Sequence, residues 1–179
     1  HQPGSSRAGQ TPAVTGAGRG MGPATGLSVA GYGGHVICAS RKRESCEEVV
    51  AASQTAGGKA DARAVHIGDV ASIDALFAGL AAEGLAPDIL VNNAAANPYF
   101  GPMLDMDLSA FDKTVEVNIR GYFYTSVKAA RGMRERGGAI VNVASVNGRR
   151  AAPGQGVYAM TTAAILSMAE GFAKAVGRH

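Results

Sequence analysis

Short runs of apolar residues alternate along this chain with longer amphipathic stretches. The short runs consist mainly of Val, Ile and Ala with little polar alternation, which is typical of strands buried on both faces of a parallel sheet. Parallel strands need long crossover connections, so the alternation predicts an α/β fold in which a doubly wound parallel sheet is flanked by helices. The predicted strands cover residues 12–15, 35–39, 64–67, 89–91 and 139–143. The predicted helices cover residues 23–31, 44–55, 72–82, 109–134 and 155–176, with Ser72 as a helix cap.

Composition favours one globular domain. Hydrophobic residues make up 46% of the 179 residues and charged residues 17%, a balance that excludes a disordered chain. We predict a disordered polar tail over residues 1–10 and a single domain over residues 11–179. Pro12 conflicts with this scheme, because proline is disfavoured inside the central strand of a sheet.

Charge and cysteine content exclude several classes of function. The net charge is +3 and the one compact basic cluster is Arg41 to Arg43, so we predict no nucleic-acid partner. No apolar run approaches the length of a membrane span and no secretory signal is visible, so we expect neither membrane binding nor export. Cys38 and Cys46 form neither a disulfide framework nor a metal-ligand spacing. Cys38 is predicted to be a core thiol in a cytoplasmic protein without a metal.

A glycine-rich segment follows the first predicted strand, where residues 15–22 read TGAGRGMG. Glycines at Gly16, Gly20 and Gly22 permit a tight turn and a close approach of the backbone to a pyrophosphate. The helix that follows offers free N–H groups and the positive end of its dipole. An ordinary glycine-rich turn is the alternative interpretation of this segment.

The spacing of these glycines resembles the TGxxxGxG signature of the short-chain dehydrogenase/reductase family. Asp69-Val70 resembles the family's acidic residue that holds the adenine ring, and residues 92–95 (NNAA) are similar to its NNAG element. The family's asparagine, serine and tyrosine have counterparts in Asn118, Ser145 and Tyr158. The resemblance extends from about residue 10 to the end of the chain and implies a Rossmann-like fold. It also implies that the cofactor is bound by Gly16, Arg19, Gly20, Met21, Gly22, Asp69, Val70, Asn93 and Ala94.

The end of the second strand predicts which nicotinamide cofactor is used. NAD-preferring sites place an acidic residue there to bind the ribose 2′-hydroxyl. Here Ser40 stands in that position and Arg41 follows, which leaves room for a 2′-phosphate and a guanidinium to bind it. Arg19 could approach the same phosphate, so we predict NADP(H), with NAD(H) less favoured. The alternative is that Arg41 to Arg43 form a solvated helix start.

The resemblance implies a catalytic role for three residues in the reduction of a small carbonyl or the oxidation of an alcohol. Tyr158 would exchange the proton. Ser145 would hydrogen-bond the substrate oxygen, and Asn118 would hold a water in a proton relay. Each of the three also has a purely structural interpretation when it is considered alone. Tyr158 could be a surface or core tyrosine, Ser145 could cap a turn, and Asn118 could be a helix asparagine bonded to the backbone.

Two departures from the family pattern leave alternatives open. One turn after the tyrosine the family has a lysine that lowers the tyrosine pKa, and this chain has Thr162. Family chains also continue beyond the tyrosine helix, so the resemblance implies a sheet truncated before its last two strands. The two long predicted helices, over residues 109–134 and 155–176, resemble the family's dimerisation surface and imply a homodimer or homotetramer. The prediction is an active NADP(H) oxidoreductase, and the alternatives are an impaired nucleotide-binding pseudoenzyme or fragment and a structural dimer module.

Overall fold

A five-stranded parallel sheet, in the order β3-β2-β1-β4-β5, forms the centre of the computed structural model, which describes residues 9–177. β1 pairs in parallel with both β2 and β4, so the chain reverses its direction of winding beside β1. Ligands of such sheets bind at the carboxyl ends of the strands, beside this reversal. The strands are β1 Pro12–Thr15, β2 His35–Ser40, β3 Lys59–Ala64, β4 Ile89–Asn92 and β5 Ala139–Asn142.

Helices cover both faces of the sheet, which confirms the doubly wound α/β prediction. They are α1 Met21–Gly31, α2 Glu44–Thr55, α3 Val70–Ala82, α4 Leu108–Val115, α5 Tyr122–Met133 and α6 Gly156–Val176. One core lies between the sheet and α3, α5 and α6, and contains Ile73, Tyr122 and Ile165. The other lies under α1 and α2 and contains Cys38 and Cys46. Cys38 is fully buried, which confirms that it is a core thiol, and this burial raises its pKa to about 12.

The third strand is the one strand whose predicted place is wrong. It covers Lys59–Ala64 instead of residues 64–67, and it pairs with β2 from His35↔Lys59 to Ser40↔Ala64. Its small side chains, Ala60 and Ala62, are buried, whereas its charged residues remain partly exposed. A strand of alanines and charged residues has weak β propensity, so the pattern hides it. Position at the edge of the sheet explains why one side can remain polar.

The predicted helix over residues 109–134 is continuous but not uniform. A π-helical turn, Glu116–Gly121, joins α4 to α5 and carries Asn118. Single-turn π segments widen a helix locally and often occur at functional sites. α3 begins at Val70 rather than Ser72, because the Asp69 carboxylate accepts the Ala71 N–H at 3.1 Å and caps the helix. The Ser72 hydroxyl instead accepts the His66 N–H at 2.9 Å.

Pro12 is accommodated as the first residue of the central strand. Proline is tolerated there because the ladder is only beginning. The preceding Thr11 N–H donates to the Asp88 carboxylate at 3.0 Å, which anchors the strand entry. Of the predicted tail, residues 1–8 lie outside the described residues, while the Gln10 carbonyl accepts the His35 N–H at 2.9 Å. Between residues 9 and 177, no helix has the length and apolar character needed to cross a membrane.

Candidate cofactor and catalytic site

The glycine segment forms a tight turn between β1 and α1. Gly16 and Gly20 adopt φ values of 66° and 62°, a region that disfavours other residues. A Cβ on Gly16 would lie 2.7 Å from Ala94 Cα, and one on Gly22 would collide with the Gly16 carbonyl. At Gly20, which precedes α1, a Cβ would meet nothing within 4 Å. The turn is therefore packed against β4 and α1 on two sides and open to the cleft on a third.

Thr15 and Asn93 fasten this turn to the end of β4. The Thr15 hydroxyl accepts the Asn93 N–H at 3.0 Å and the Ala94 N–H at 3.2 Å. The Asn93 side-chain amide donates to the carbonyl oxygens of Thr15 at 3.1 Å and Gly16 at 3.3 Å. Asn93 is thus placed beside the glycine turn, where it holds the backbone that a pyrophosphate would approach. Contact of Asn93 and Ala94 with a cofactor remains a prediction.

A cavity of about 360 Å³ opens along the carboxyl ends of the strands. It combines apolar walls with cationic side chains at its rim. This mixture fits an adenine dinucleotide, which presents flat rings together with phosphates. The residues that line it are Gly16, Arg19, Gly20, Met21, Ser40, Arg41, Val65, His66, Ile67, Asn93, Ala94, Ala95, Ala96, Lys113 and Val117.

A larger cleft of about 600 Å³ lies along β5 between α5 and α6. The glycine turn and Ser40 are absent from its lining but line the smaller cavity, whereas Ser145 and Tyr158 line neither of the two. We therefore place the cofactor site in the smaller cavity, which the glycine turn lines.

The predicted 2′-phosphate residues lie on one side of this cavity. Ser40 ends β2, and its hydroxyl accepts the Ser45 hydroxyl at 3.0 Å. Arg41 and Arg19 are exposed and line the same cavity, so both guanidinium groups are available to an anion. The structure thus brings Ser40, Arg41 and Arg19 together, as the 2′-phosphate hypothesis requires.

Asp69 and Val70 occupy a different position from the other predicted cofactor residues. Both are exposed at the start of α3 and neither lines the cavity. Asp69 caps the helix, which is a structural role that the sequence did not assign to it. On this side the cavity is lined instead by Val65, His66 and Ile67. A contact between Asp69 and an adenine ring stays a prediction.

Ser145 and Tyr158 belong to two segments that pack together. The Ser145 hydroxyl accepts the Asn147 N–H at 3.2 Å and so caps a 3₁₀ turn, Val146–Gly148. The Asn147 amide donates to Gln155 Oε1 at 3.1 Å, just before α6 begins. A Cβ on Gly148 would lie 2.8 Å from the Thr162 carbonyl carbon, so the turn rests directly on α6. The serine segment is thereby fixed against the helix that carries the tyrosine.

Tyr158 is half-buried in the first turn of α6, and a second tyrosine lies nearby. The fully buried Tyr122 hydroxyl donates to the Val143 carbonyl at 3.1 Å. Its burial, and secondarily the proximity of Tyr158, raises the pKa of Tyr122 well above its usual value. Tyr122 is therefore committed to the core, whereas Tyr158 is partly accessible.

Asn118 links three segments beneath the site. Its carbonyl oxygen accepts the Ala96 N–H at 2.8 Å, and its amide donates to the Ala96 carbonyl at 2.9 Å. The same amide donates to the Thr161 hydroxyl at 3.0 Å, which ties the π-helical turn to α6. The side chain is fully buried and satisfied, so the structure gives it a positioning role. Its role in a proton relay stays a prediction.

Thr162 is buried and its hydroxyl is committed to its own helix. It donates to the carbonyl oxygens of Ala159 at 3.0 Å and Tyr158 at 3.2 Å. With an exposed fraction of 2%, it faces the interior rather than solvent. Position 162 therefore supplies neither a charge nor a free donor to the tyrosine.

Sequence reasoning missed His66 and Lys113, which face each other across the cavity wall. His66 Nε2 lies 2.8 Å from Lys113 Nζ, although 47 residues separate them along the chain. The sequence predicts a strand over residues 64–67, which would place His66 inside it. In the structure β3 ends at Ala64, so His66 lies just after its carboxyl end. Lys113 lies one helical turn before Val117. The helical repeat therefore places the two on the same face, and this spacing could have indicated that Lys113 lines the cavity.

Comparisons with known proteins agree on one family. A family model described as short chain dehydrogenase matches residues 10–179. L-xylulose reductase from Mesocricetus auratus is 36% identical over 174 residues, covering 96% of this chain and 68% of that protein. Human dehydrogenase/reductase SDR family member 4 is 31% identical over 156 residues, covering 87% of this chain and 56% of that protein.

Solved structures show the same likeness. An NAD+-bound xylitol dehydrogenase superposes with a TM-score of 0.91 at 26% identity, covering 96% of this chain and 66% of that one. A metagenomic short-chain oxidoreductase in complex with NADP superposes with a TM-score of 0.92 at 29% identity, covering 98% and 80%. The chain thus spans between about half and four fifths of the length of these proteins.

Proposed function

The chain belongs to the short-chain dehydrogenase family, and on that premise we propose that it is an NADP(H)-dependent oxidoreductase acting on a small carbonyl compound or secondary alcohol. The observation that carries this proposal is the single cavity shared by the glycine turn, Ser40, Arg19 and Arg41. A relative solved with NAD+ and another solved with NADP support a nicotinamide dinucleotide without distinguishing the two. The preference for NADP(H) is supported by this chain's own basic residues.

Binding of the cofactor is assigned to two parts of the cavity. The turn at Gly16, Gly20 and Gly22, continued by Met21 at the start of α1, offers backbone N–H groups to the pyrophosphate. Ser40 leaves space at the end of β2, and Arg41 and Arg19 supply guanidinium groups for a 2′-phosphate. An acidic side chain at position 40 would repel that phosphate, and the serine does not.

The catalytic proposal assigns one role to each of three side chains. The nicotinamide supplies or accepts the hydride when it is bound. Tyr158 gives the proton to the oxygen of the reduced carbonyl, or removes it in the oxidative direction. Ser145, held at its turn by the Asn147 N–H, donates a hydrogen bond to the same oxygen and stabilises its negative charge. Asn118 binds the segment after β4 at Ala96 and the Thr161 hydroxyl on α6, and so holds the two segments together.

A catalytically impaired nucleotide-binding protein is the second candidate, and one observation favours it. Thr162 offers a hydroxyl already bonded to its own helix where the family has a lysine. Such a protein would bind NADP(H) normally and turn over slowly. A purely structural dimer module would bind neither dinucleotide, and the family match gives it no support.

Two further parts of the proposal concern assembly and location. We propose a homodimer or homotetramer formed through the long helices, which leave Phe123 and Met160 half-exposed. The cytoplasm is proposed because Cys38 and Cys46 are both free thiols, which suits a reducing compartment.

The substitution Arg41→Asp tests the cofactor assignment. Loss of the guanidinium and the added negative charge should weaken NADPH binding by about 100-fold, because charge-assisted hydrogen bonds contribute about 1.5–3 kcal/mol each. Binding of NADH should change far less. Fluorescence titration with both cofactors measures the two affinities.

Arg43→Asp is the matched control, since Arg43 belongs to the same basic cluster but does not line the cavity. It should leave the ratio of the two affinities unchanged. Equal losses for NADPH and NADH in Arg41→Asp would contradict the 2′-phosphate assignment.

A further inference from the structure

Gln155 is the residue before α6 and stands three positions ahead of Tyr158. Its side chain makes no hydrogen bond to the free N–H groups at the start of that helix. Its backbone serves the helix instead, because the Gln155 carbonyl accepts the Ala159 N–H at 2.8 Å. The side-chain amide is therefore available to neighbouring segments.

Two asparagines from distant segments meet this amide. The Asn147 amide, in the turn after Ser145, donates to Gln155 Oε1 at 3.1 Å. The Asn97 amide, in the segment after β4, donates to the same oxygen at 3.4 Å. Every amide carries one acceptor oxygen and one donor nitrogen, so both contacts would persist if all three amides were reversed. The link between the three segments therefore holds in both arrangements.

The serine turn is attached to α6 on both sides of Tyr158. After the tyrosine, Gly148 packs against the helix backbone, where a Cβ would lie 2.8 Å from the Thr162 carbonyl carbon. Before the tyrosine, Asn147 is bonded to Gln155. Within residues 9–177, this second contact is the one hydrogen bond between the serine turn and the start of the helix. The first contact depends on close packing alone.

The Asn147–Gln155 contact bears directly on the serine hydroxyl. The Ser145 hydroxyl accepts the Asn147 N–H at 3.2 Å, so the residue that reaches Gln155 also holds the serine. A hydroxyl has one proton to donate, and this contact leaves that proton for another acceptor. The position of the Asn147 peptide therefore influences where the Ser145 proton can point. Loss of the contact to Gln155 would leave the turn free to shift about its packing at Gly148.

The segment after β4 closes over the start of α6 beside the same amide. The Gly101 N–H donates to the Gly154 carbonyl at 2.9 Å. A Cβ on Gly156 would collide with the sulfur of Met103, so the segment and the helix start lie in close contact. The side chains of Asn97, Gln155 and Tyr158 line one narrow crevice there. Gln155 thus lies beside the tyrosine as well as against the serine turn.

We propose that Gln155 is a positioning residue, which sets the orientation of the Ser145 turn toward Tyr158 through Asn147. The proposal rests on the oxidoreductase function proposed above. Gln155 does not line the cofactor cavity, so its contribution falls on the reaction at the substrate oxygen and not on cofactor binding. Because it acts through Ser145, its effect depends on the presence of the serine hydroxyl.

The test measures turnover of NADPH with a panel of simple ketones in the 179-residue chain and in its Gln155→Leu variant. Leucine has a similar size and offers neither an acceptor nor a donor to the two asparagines. We expect kcat to fall about 10- to 100-fold, because a small misplacement of a reacting group has a cost of this size. The affinity for NADPH, measured by fluorescence titration, should stay unchanged.

Ser145→Ala separates positioning from a general contribution to stability. In this background Gln155→Leu should cause no further loss of rate, since no hydroxyl remains to be misplaced. A general disturbance of the fold would lower the rate by the same factor with or without the serine. Single-turnover rates with enzyme in excess over substrate allow the slow variants to be compared.

Gln54→Leu is the matched control, because Gln54 is an exposed residue of α2 that lines neither the cofactor cavity nor the crevice. It should leave kcat and the NADPH affinity unchanged. Asn147→Leu breaks the proposed contact from its other side and keeps the N–H that holds Ser145. It should lower kcat by a similar factor, and it takes the place of Gln155→Leu if that variant does not fold.

Three results would overturn the proposal: an unchanged kcat in Gln155→Leu, an equal further loss in the Ser145→Ala background, or a loss of NADPH affinity in place of kcat. If the unaltered chain shows no turnover, the proposed oxidoreductase function fails separately. The positioning of the turn is then decided by hydrogen exchange, in which Gln155→Leu should speed exchange of the Asn147 and Gly148 amides. Unchanged exchange of these two amides would overturn it.

Discussion

At position 162 a hydroxyl stands where the family has an ammonium, and this single side chain separates the two candidate functions. Tyrosine has an unperturbed pKa of about 10, and a nearby cation lowers it by stabilising the phenolate. We predict that Thr162→Lys raises the turnover number at least about tenfold, which corresponds to ~1.4 kcal/mol of transition-state stabilisation. Steady-state rates with NADPH and a panel of simple ketones measure the change.

Thr162→Met controls for the added length of the side chain, since it fills the same space without a charge. It should remain as slow as the unaltered chain and melt at a similar temperature to Thr162→Lys. A Thr162→Lys protein that folds, binds NADPH and gains no activity would show that the missing cation does not limit turnover.

At the scale of single elements, the close contact between α1 and the glycine turn is possible because Gly22 has no side chain. A Cβ on Gly22 would collide with the Gly16 carbonyl and lie 2.7 Å from Ala17 Cα, all of which is backbone. We predict that Gly22→Ala displaces α1 from the turn, weakens NADP+ binding at least about tenfold and lowers the free energy of unfolding by about 1–3 kcal/mol. Calorimetric titration and urea unfolding measure the two effects.

Gly31→Ala is the control within the same helix, because a Cβ there would meet nothing within 4 Å. Alanine has the higher helix propensity, so this variant should be as stable as the parent or more stable by up to about 1 kcal/mol. Similar losses from both substitutions would show that helix propensity, and not the contact with the turn, explains the effect.

The elements also show how far the sequence predicts the structure. β1 and α2 have the bounds expected from their patterns, because a run of buried apolar residues and an amphipathic helix leave clear signals. β3 was misplaced because its buried residues are alanines, which carry little strand signal. The sequence predicts one helix over residues 109–134 and does not reveal the π-helical turn at Glu116–Gly121 within it.

At the scale of the site, sequence motifs predicted the residues that form the backbone turn. They did not predict residues that come into contact from distant parts of the chain. Gly16, Gly20, Arg19 and Arg41 line the cavity as expected. The pairing of His66 with Lys113 joins two segments far apart in sequence, and no local pattern encodes it.

For the whole molecule, exposed apolar side chains on the long helices bear on assembly. Leu108 is 78% exposed, Phe123 51% and Met160 53%, on α4, α5 and α6 respectively. We predict that light scattering of the eluting protein gives at least twice the 18.1 kDa chain mass. Phe123→Lys should shift it to the single-chain mass, because a charge would be desolvated in the interface.

Leu27→Lys on α1 alters another partly exposed apolar residue and should keep the assembled mass. A single-chain mass for the unaltered protein would contradict the proposed dimer.

The position of β1 between β2 and β4 has a consequence for how the chain is made. β1, β2 and β3 all lie within the first 64 residues, so they can pair soon after they leave the ribosome. The other edge of β1 pairs only with Ile89–Asn92, and the Thr11 N–H meets its acceptor only at Asp88. During synthesis one edge of the central strand therefore stays unpaired until β4 emerges, and such an edge is open to pairing with another chain.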